Sequence, residues 1–411
     1  MKKILIIGYV WPEPNSSAAG SHMMSILRLF RQQDWQVEFA TPAQETEHMT
    51  DLAADNITKQ KIALNCDSFD HYVSAYQPDI VVFDRFMMEE QFGWRVDKHC
   101  PKALKILDTE DLQCLRHARH QALKKDRALI KADFSSDIAK REIAAILRCD
   151  LSLMISPFEI SLLTEHFNVD SALLHHLPFM VKLSALPEHT ADFAQRQDFI
   201  TIGNFRHAPN WDAVLYLQSL WPKIRQQLPK AECHIYGAYP PPKATTLNNP
   251  KTGFLIKGWA DNALDVMAQA RVCLAPLRFG AGLKGKLLDA MIMQTPSVTT
   301  SVGSEGMHAD YPWPGLIADD ADDFVKASVA LYQDQSAWQH AQAHCHPLLQ
   351  SCYDSQYLGD NLIESIKNIE PNLTSHRLHN FTGAMLKHHT MASTQYMSQW
   401  IAAKNALPSS D

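Results

Sequence analysis

The sequence lacks several features that assign a protein to a broad class at first sight. No apolar run among its 411 residues approaches the ~20 residues that a membrane-spanning helix needs. Its eight cysteines include no Cys-x-x-Cys pair, and several lie in apolar runs where a small buried thiol is typical. The formal net charge of −7 argues against nucleic acid or an anionic membrane as the main partner. The sequence also has no short-period repeat and no low-complexity tract.

An export signal is lacking as well. The first apolar run, residues 4–7, gives way to polar Pro, Asn and Ser. It is shorter than the ~7–15 apolar residues of a signal peptide, and it predicts a buried strand. Without an export signal, a membrane span or paired cysteines, we expect a cytoplasmic protein. Residues 385–400 have some amphipathic helical character, which leaves open a peripheral contact with the inner face of a membrane.

Apolar runs alternate with helical patterns along most of the chain. The runs are continuously apolar, which predicts strands covered on both faces and therefore parallel sheets flanked by helices. The alternation stops over residues 184–197 and restarts at residue 199. We predict two Rossmann-like α/β domains at residues 1–183 and 198–350, a linker at 184–197, and C-terminal helices with a tail at 351–411. The predicted strands are 4–7, 37–40, 78–83, 104–107, 151–155, 199–202, 233–236, 254–257, 272–275 and 297–300, and the main helices are 21–31, 211–227, 262–270, 286–293 and 324–331.

The strongest chemical signal is the loop Phe279-Gly-Ala-Gly-Leu-Lys-Gly-Lys286, which connects a predicted strand to a predicted helix. Its glycines permit a tight turn and leave room for an anion close to the backbone. The helix start adds free N–H groups and the positive end of the helix dipole, and Lys284 and Lys286 add positive charge. The pattern favours a diphosphate site, although a glycine turn with solvated lysines is the structural alternative.

Two other phosphate motifs overlap this loop. A P-loop requires Ser or Thr at position 287 to hold magnesium, and Leu287 stands there. Gly280-x-Gly282-x-x-Gly285 fits a dinucleotide fingerprint, with Glu305 twenty residues further on, but that fingerprint normally follows the first strand of its domain. An NAD-dependent oxidoreductase therefore stays as an alternative hypothesis.

A longer set of motifs surrounds the loop. It consists of a Pro-Leu-Arg strand end, a Gly-x-Gly loop, a lysine three residues before an acid that precedes Ala-Met, and Gly-x-Glu-Gly. These stand at residues 276–278, 280–282, 286–291 and 303–306. In this the second half resembles the retaining GT-B glycosyltransferases of the large family-four type (glycosyl transferases group 1), which transfer hexoses from sugar nucleotides. Segments 202–211 and 256–259 extend the resemblance, which covers roughly residues 198–365.

The resemblance implies roles for individual residues of the second half. Asp289 matches the acid that binds the donor ribose, although glutamate is usual there. Lys286 matches a lysine that contacts the donor phosphates, and Lys284 occupies a position often held by arginine. The family also expects a glutamate eight residues before Asp289, and Ala281 stands there, so recognition of the sugar hydroxyls is unassigned. The implied catalytic residues are Lys286, Lys284 and Arg206, and the implied donor-binding residues are Gly280, Gly282, Leu283, Asp289, Gly258, Trp259 and Glu305.

Polar residues at strand ends of the first half predict an acceptor-side cleft, because C-terminal strand ends line the ligand crevice of an open α/β sheet. Asp84 ends one predicted strand, and Asp108 and Asp111 follow the next. The second segment also resembles an Asp-Thr-x-Asp-Leu segment of the same glycosyltransferases, but a helix N-cap would explain its acids equally well. Gly20 and His22 open the first helix, where a glycine-led start can approach phosphate or acceptor. The alternative for His22 is an ordinary helix residue.

Together these patterns predict a retaining hexosyltransferase that binds a sugar nucleotide and a saccharide or lipid-linked acceptor, as in polysaccharide biosynthesis. The resemblance implies no cofactor and no bound metal. The acidic run at residues 319–323 precedes an apolar-periodic helix and predicts its cap instead of a metal site. Ala281 and the short acid Asp289 also motivate the hypothesis of a catalytically silent GT-B-like nucleotide-binding protein.

Overall fold

The structure is a computed structural model that describes residues 1–129 and 132–406, with their side chains except those of residues 389–392 and 406. Two parallel sheets form its framework. The first sheet contains β1 (Lys3–Ile7), β2 (Gln36–Thr41), β3 (Thr58–Lys61), β4 (Ile80–Asp84), β5 (Leu104–Asp108), β6 (Leu151–Met154) and β7 (Leu174–His176). The second sheet contains β8 (Gln197–Ile202), β9 (Cys233–Tyr236), β10 (Phe254–Gly258), β11 (Ala270–Ala275), β12 (Ser297–Thr299) and β13 (Gly315–Ile317).

Both sheets have the same kind of topology. The strand order is β3-β2-β1-β4-β5-β6-β7 in the first and β10-β9-β8-β11-β12-β13 in the second, and every pairing is parallel. The order reverses between β1 and β4 and again between β8 and β11. In open α/β sheets, ligands bind at the carboxyl ends of the strands beside such a reversal.

Helices connect the strands and cover the sheets. The first sheet carries α1 (Ala18–Gln32), α2 (Ser68–Tyr76), α3 (Phe86–His99), α4 (Gln113–Lys124), α5 (Asp137–Arg148) and α6 (Pro157–Glu165). The second carries α7 (Ala208–Gln227), α8 (Pro242–Thr245), α9 (Ala263–Gln269), α10 (Gly285–Ile292), α11 (Ser301–Ser304), α12 (Ala321–Gln333), α13 (Gln335–Ala343) and α14 (Cys345–Cys352). The chain continues with α15 (Ser355–Ile369), α16 (Leu373–His379) and α17 (Phe381–Ala406).

The continuous apolar runs of the central strands are explained by burial on both faces. In β1, Leu5 and Ile7 belong to one hydrophobic cluster, and Ile4 and Ile6 belong to another on the opposite side of the sheet. Successive side chains of a strand point to opposite faces, so a strand that has helices on both sides needs no polar residue. The resulting packing holds the loops at the strand ends in place.

The end of the chain crosses back to the first sheet. Helix α15 buries Leu358, Leu362 and Ile366 in the same cluster as Ile4 of β1. Beside this crossing, the N–H of Val181 donates to the Tyr353 carbonyl at 2.7 Å, and the N–H of Ser355 donates to the Val181 carbonyl at 3.0 Å. The two connections between the sheets therefore run side by side.

The predicted architecture of two parallel-sheet α/β domains and a helical C-terminal region is confirmed. The sequence does not predict β3, β7 and β13, which are all edge strands and are partly exposed. A short edge strand needs no continuous apolar run, and β3 reads Thr-Lys-Gln-Lys. Helix α17 is longer than the predicted 385–400 segment. In the part of the chain that the structure describes, no helix combines the length and apolarity required to cross a bilayer.

Candidate functional site

Loops from the carboxyl ends of both sheets meet in a seam between the domains. The Asn204 side chain, after β8, donates to the Ser16 hydroxyl, after β1, at 3.3 Å. Gly282, after β11, packs against Asp111, after β5, so closely that a Cβ on the glycine would lie 2.7 Å from the Asp111 Cβ. The positive φ of Gly282 (61°) also favours glycine. The crevices at the two strand-order reversals therefore open onto one shared cleft.

Lys286 and Asp289 lie one helical turn apart at the start of α10 in this cleft. Lys286 Nζ donates to the side-chain oxygen of Asn210, on α7, at 2.7 Å. Both groups are partly exposed but surrounded by cleft walls, which weakens their hydration. Burial lowers the pKa of Lys286 to about 8, and burial raises the pKa of Asp289 to about 7 against the opposing charge of Lys286. A cation and an acid thus stand one helical turn apart on the same helix, and each has a pKa that burial moves towards neutrality.

The glycine loop before α10, from which the sequence predicts a cradle of backbone N–H groups, is held by hydrogen bonds to the first domain. The N–H of Gly282 donates to Glu159 Oε1 at 2.8 Å. Arg119 donates to the Gly280 carbonyl at 3.0 Å, and Lys284 Nζ donates to the Gly282 carbonyl at 2.5 Å. One backbone donor expected to bind phosphate, the N–H of Gly282, is therefore already occupied by a carboxyl group, and the Lys284 side chain is bound to its own loop.

Ala281 lies at the position where the resemblance calls for an acid. Its side chain is 8 % exposed and belongs to the hydrophobic cluster of the first domain. A carboxylate there would be buried against apolar side chains, which is costly without a partner. The packing of the loop against the first domain therefore accounts for the alanine.

Glu305 forms an ion pair across the seam. Arg119, on α4, donates to both carboxylate oxygens at 2.7 and 2.8 Å. The sequence analysis expected Glu305 to bind the donor, either as part of the Gly-x-Glu-Gly motif or as the ribose acid of a dinucleotide fold. In the structure its two oxygens are engaged by one guanidinium group, while Leu283 is buried near Gly306.

The predicted base-reading loop lies at the other end of the cleft. A Cβ added to Gly258 (φ 74°) would meet nothing within 4 Å, and the Gly258 carbonyl accepts from the N–H of Gly237 at 2.7 Å. The ring of Trp259 stacks on His48 of the first domain, with centroids 4.0 Å apart and planes 5° apart. Arg206 lies 3.6 Å above the Tyr239 ring. An aromatic cluster thus joins the predicted cation Arg206 to the predicted base site.

Acids cluster at the ends of β4 and β5. Asp84 and Asp108 are paired in the sheet register, and both side chains are buried. Asp84 Oδ2 accepts from the N–H of Tyr9 at 2.9 Å, and its Oδ1 lies 3.7 Å from Arg85 Nε. Asp108 Oδ2 has no hydrogen-bond partner among the described residues. Burial, followed by the charge of Asp84, raises the pKa of Asp108 to about 7.

The backbone at these two strand ends is unusual. Arg85 and Glu110, directly after β4 and two residues after β5, have φ values of 69° and 61°. Non-glycine residues adopt this conformation rarely, and such residues cluster at functional sites. Desolvation by burial, and then the charge of Asp108, raise the pKa of Glu110 as well.

The capping interpretation of the 108–111 segment is wrong. Helix α4 begins without a side-chain cap of its own. Its first N–H groups are bound instead by two buried carboxyl groups, since Leu112 donates to Glu159 at 3.0 Å and Gln113 and Cys114 donate to Glu142 at 2.9 and 2.8 Å. Asp111 pairs with Arg116. Asp108 and Asp111 therefore do not cap α4.

Gly20 and His22 lie inside α1, because the helix begins at Ala18 with Ser17 as its cap. A Cβ on Gly20 would lie 2.4 Å from the Glu13 carbonyl oxygen, so close packing against this loop requires the glycine. His22 is buried edge-on to Phe179, and burial lowers its pKa to about 4. It is therefore neutral near pH 7, as a buried helix residue.

The acidic run at residues 319–323 caps α12 as predicted. Asp320 accepts from the N–H groups of Asp322 and Asp323. Within the described ranges, one group has metal-ligand spacing, namely Asp198, Glu232 and His234. This group lies at the amino ends of β8 and β9, whereas the cleft lies at the carboxyl ends of the strands.

Several cleft residues were not assigned a role from the sequence. His207 lies within electrostatic reach of Arg116, Asp111 and Lys286, which come from both domains. Asn210 could have been noticed, because it stands in the 202–211 segment that carried the resemblance. Glu159 and His48 carried no local signal, since their partners are distant in sequence.

Comparisons with known proteins identify the fold. The chain superposes on sucrose-phosphate synthase from Thermosynechococcus elongatus with a TM-score of 0.67 and 13% identity, over 90% of this chain and 99% of that one. A TarM variant from S. aureus, in complex with fondaparinux, an α-GlcNAc-glycerol and UDP, gives 0.68 and 10%, over 90% and 100%. HepE from Anabaena, in complex with UDP and glucose, gives 0.68 and 10%, over 89% and 100%. The fold is therefore GT-B, as predicted.

The match in sequence covers less of the chain than the structural matches do. Residues 196–334 match the family described as glycosyl transferases group 1, and this segment contains the glycine loop, Lys286 and Asp289. No curated protein matches the chain in sequence.

Proposed function

We propose that the protein transfers a hexose from a nucleoside-diphosphate sugar to a saccharide or lipid-linked acceptor, with retention of anomeric configuration. The observation that carries the proposal is the Lys286–Asp289 pair, held in the interdomain cleft within the segment that matches glycosyl transferases group 1. The donor lies mainly on the second domain and the acceptor mainly on the first.

The leaving group determines what the cations do. As the sugar–phosphate bond breaks, negative charge grows on the diphosphate, and positive groups already in place lower the barrier. Lys286 carries this role, with Lys284 and Arg206, and no covalent chemistry by the protein is required. Asp289 accepts hydrogen bonds from the ribose hydroxyls, and the loop at Gly258 and Trp259 contacts the base.

Two structural neighbours support a uridine nucleotide as the first donor to test, since both were solved with UDP. The buried acids Asp84 and Asp108 support an acceptor that offers hydroxyl groups, because carboxylates accept hydrogen bonds and repel anions. We further propose that transfer proceeds without a cofactor or bound metal. It takes place in the cytoplasm, as a step of polysaccharide assembly, and the protein makes a peripheral contact with the inner face of the membrane.

The experiment is incubation with a panel of sugar nucleotides and saccharide or lipid acceptors. Release of the nucleoside diphosphate and the anomeric configuration of the product are measured. A product with the configuration of the donor is expected. Nucleotide binding without turnover for any pair would favour a catalytically silent protein. NADH binding in place of UDP binding would favour the oxidoreductase hypothesis, which the engagement of Glu305 by Arg119 makes less attractive.

A further inference from the structure

Two helices of the first domain, α6 and α4, contact the glycine loop of the second domain. Glu159 of α6 lies at the start of α4, where the N–H groups of Leu112 and Gly282 both donate to its Oε1, at 3.0 and 2.8 Å. Near the middle of α4, Arg119 donates to the Gly280 carbonyl at 3.0 Å and to both oxygens of Glu305. Two side chains of the first domain thus bind the backbone on both sides of Ala281.

These contacts are buried. Glu159 is fully buried and Arg119 is 7 % exposed, and Phe158 lies 5.1 Å from the Arg119 guanidinium. Removing one partner of such a pair leaves a buried charge or polar group unpaired, which is far more costly than losing a surface ion pair. The loop therefore has a strong preference for the position in which both contacts are made.

The bound loop leads directly into the cations of the cleft. Lys284 follows Gly282 by two residues, and Lys286 stands in the first turn of α10. Fixing the Gly280 carbonyl and the Gly282 N–H sets the direction in which the chain enters that helix. A site that stabilises developing charge depends on such pre-organisation, which supporting residues provide.

We propose that Arg119 and Glu159 are positioning residues of the donor site. Through them, the acceptor-side domain holds the glycine loop in the geometry that presents Lys284 and Lys286 to the donor diphosphate. The inference rests on the proposed function and adds that donor affinity depends on side chains that do not touch the donor.

The experiment measures the KM for donor, the KM for acceptor, the Kd of the matching nucleoside diphosphate and the thermal midpoint. The variants are Arg119→Met, Arg119→Lys, Glu305→Arg, and the charge swap of Arg119→Glu with Glu305→Arg. Arg148→Met is the matched control, because Arg148 forms a similarly buried pair with both oxygens of Glu89 inside the first domain.

We expect Arg119→Met and Glu305→Arg to raise the donor KM and the nucleotide Kd about 10-fold or more, with the acceptor KM within about 2-fold of wild type. Arg119→Lys keeps the charge and should lose less donor affinity than Arg119→Met. The charge swap should recover part of the donor affinity that Glu305→Arg alone loses. For Glu159, the Gln variant keeps the oxygen that accepts both N–H groups and should bind the donor normally, whereas Glu159→Leu should not.

Three results overturn the inference. One is unchanged donor KM in Arg119→Met and Glu159→Leu. Another is an equal rise of donor and acceptor KM, which indicates a general loss of structure. The third is a charge swap no better than Glu305→Arg alone, a comparison that holds even if Arg119→Met does not fold. If wild type binds no nucleotide at all, the proposed function is wrong and the inference is wrong with it.

Discussion

The two domains share one topology but have opposite charge where their crevices open. In the first domain, the ends of β4 and β5 carry the acids Asp84 and Asp108. In the second, the loop after β11 and the start of α10 carry Lys284 and Lys286. Parallel strands beside a reversal of strand order supply a crevice in both cases, and the side chains decide its ligand. On this basis we propose that the second crevice binds an anionic donor and the first binds a neutral, hydroxyl-bearing acceptor.

The largest expected effect comes from removing the cation of the second crevice. Lys286→Ala leaves the charge that grows on the diphosphate without its main partner, so kcat/KM for the donor should fall about 10²–10³-fold. Steady-state kinetics at saturating acceptor measure it. Lys326→Ala is the control, since Lys326 is an exposed lysine paired with Asp323. Turnover and donor binding that survive in Lys286→Ala would remove the basis of the assignment.

Ala281 stands where the resemblance calls for an acid, and replacing it tests how the glycine loop packs against the first domain. Ala281→Glu introduces the carboxylate that the resemblance calls for, but at a site packed in the first domain's hydrophobic cluster. We expect a loss of about 2–4 kcal/mol in the free energy of unfolding and no gain in activity. Chemical denaturation measures the loss. In the control, Ala337→Glu, the new acid stands exposed in the first turn of α13 and should be tolerated. Faster transfer by Ala281→Glu than by the wild type would mean that the alanine lowers the activity of the site.

The acids of the first crevice should affect the acceptor alone. Asp108→Asn keeps the shape of the side chain but removes its charge and one acceptor oxygen, so kcat/KM for the acceptor should fall about 10-fold. Hydrolysis of the donor in the absence of acceptor should be unchanged. Asp137→Asn, at an exposed acid of the same domain, provides the comparison. An equal fall in the rate of donor hydrolysis in Asp108→Asn would contradict the assignment of the acceptor to the first domain and the donor to the second.

How much the sequence reveals depends on how far apart the interacting residues lie. Lys286 and Asp289 are three residues apart, so a single motif contains both residues. The apolar runs of the central strands predicted the two sheets for a similar reason. Glu159 and Gly282 are 123 residues apart, and Arg119 and Glu305 are 186 apart. Such contacts depend on how two folded domains meet, which periodicity and spacing do not encode.

The capping of α4 is a second example of that limit. Acids before a helix usually cap it, and on this basis Asp108 and Asp111 had an ordinary explanation. The structure supplies the cap instead from Glu142 and Glu159, which lie on α5 and α6, the next two helices along the chain. That Asp108 and Asp111 do not cap α4 could be recognised only once the tertiary neighbours of the helix start were known.

The smallest expected effect is a narrow pH optimum for donor use. Lys284 and Lys286 have pKa values lowered by burial to about 8, so above that pH they lose the charge that attracts the diphosphate. Asp289 has a pKa raised to about 7, so below that pH it is protonated and accepts ribose hydroxyls less well. The profile of kcat/KM for the donor should therefore be bell-shaped, falling about two-fold or more one pH unit to either side of about 7.5. Asp289→Asn removes the acidic group and should abolish the acidic limb while retaining the alkaline one. An acidic limb that persists in this variant would assign that limb to another buried acid, with Asp108 as the first candidate because its pKa is also raised to about 7.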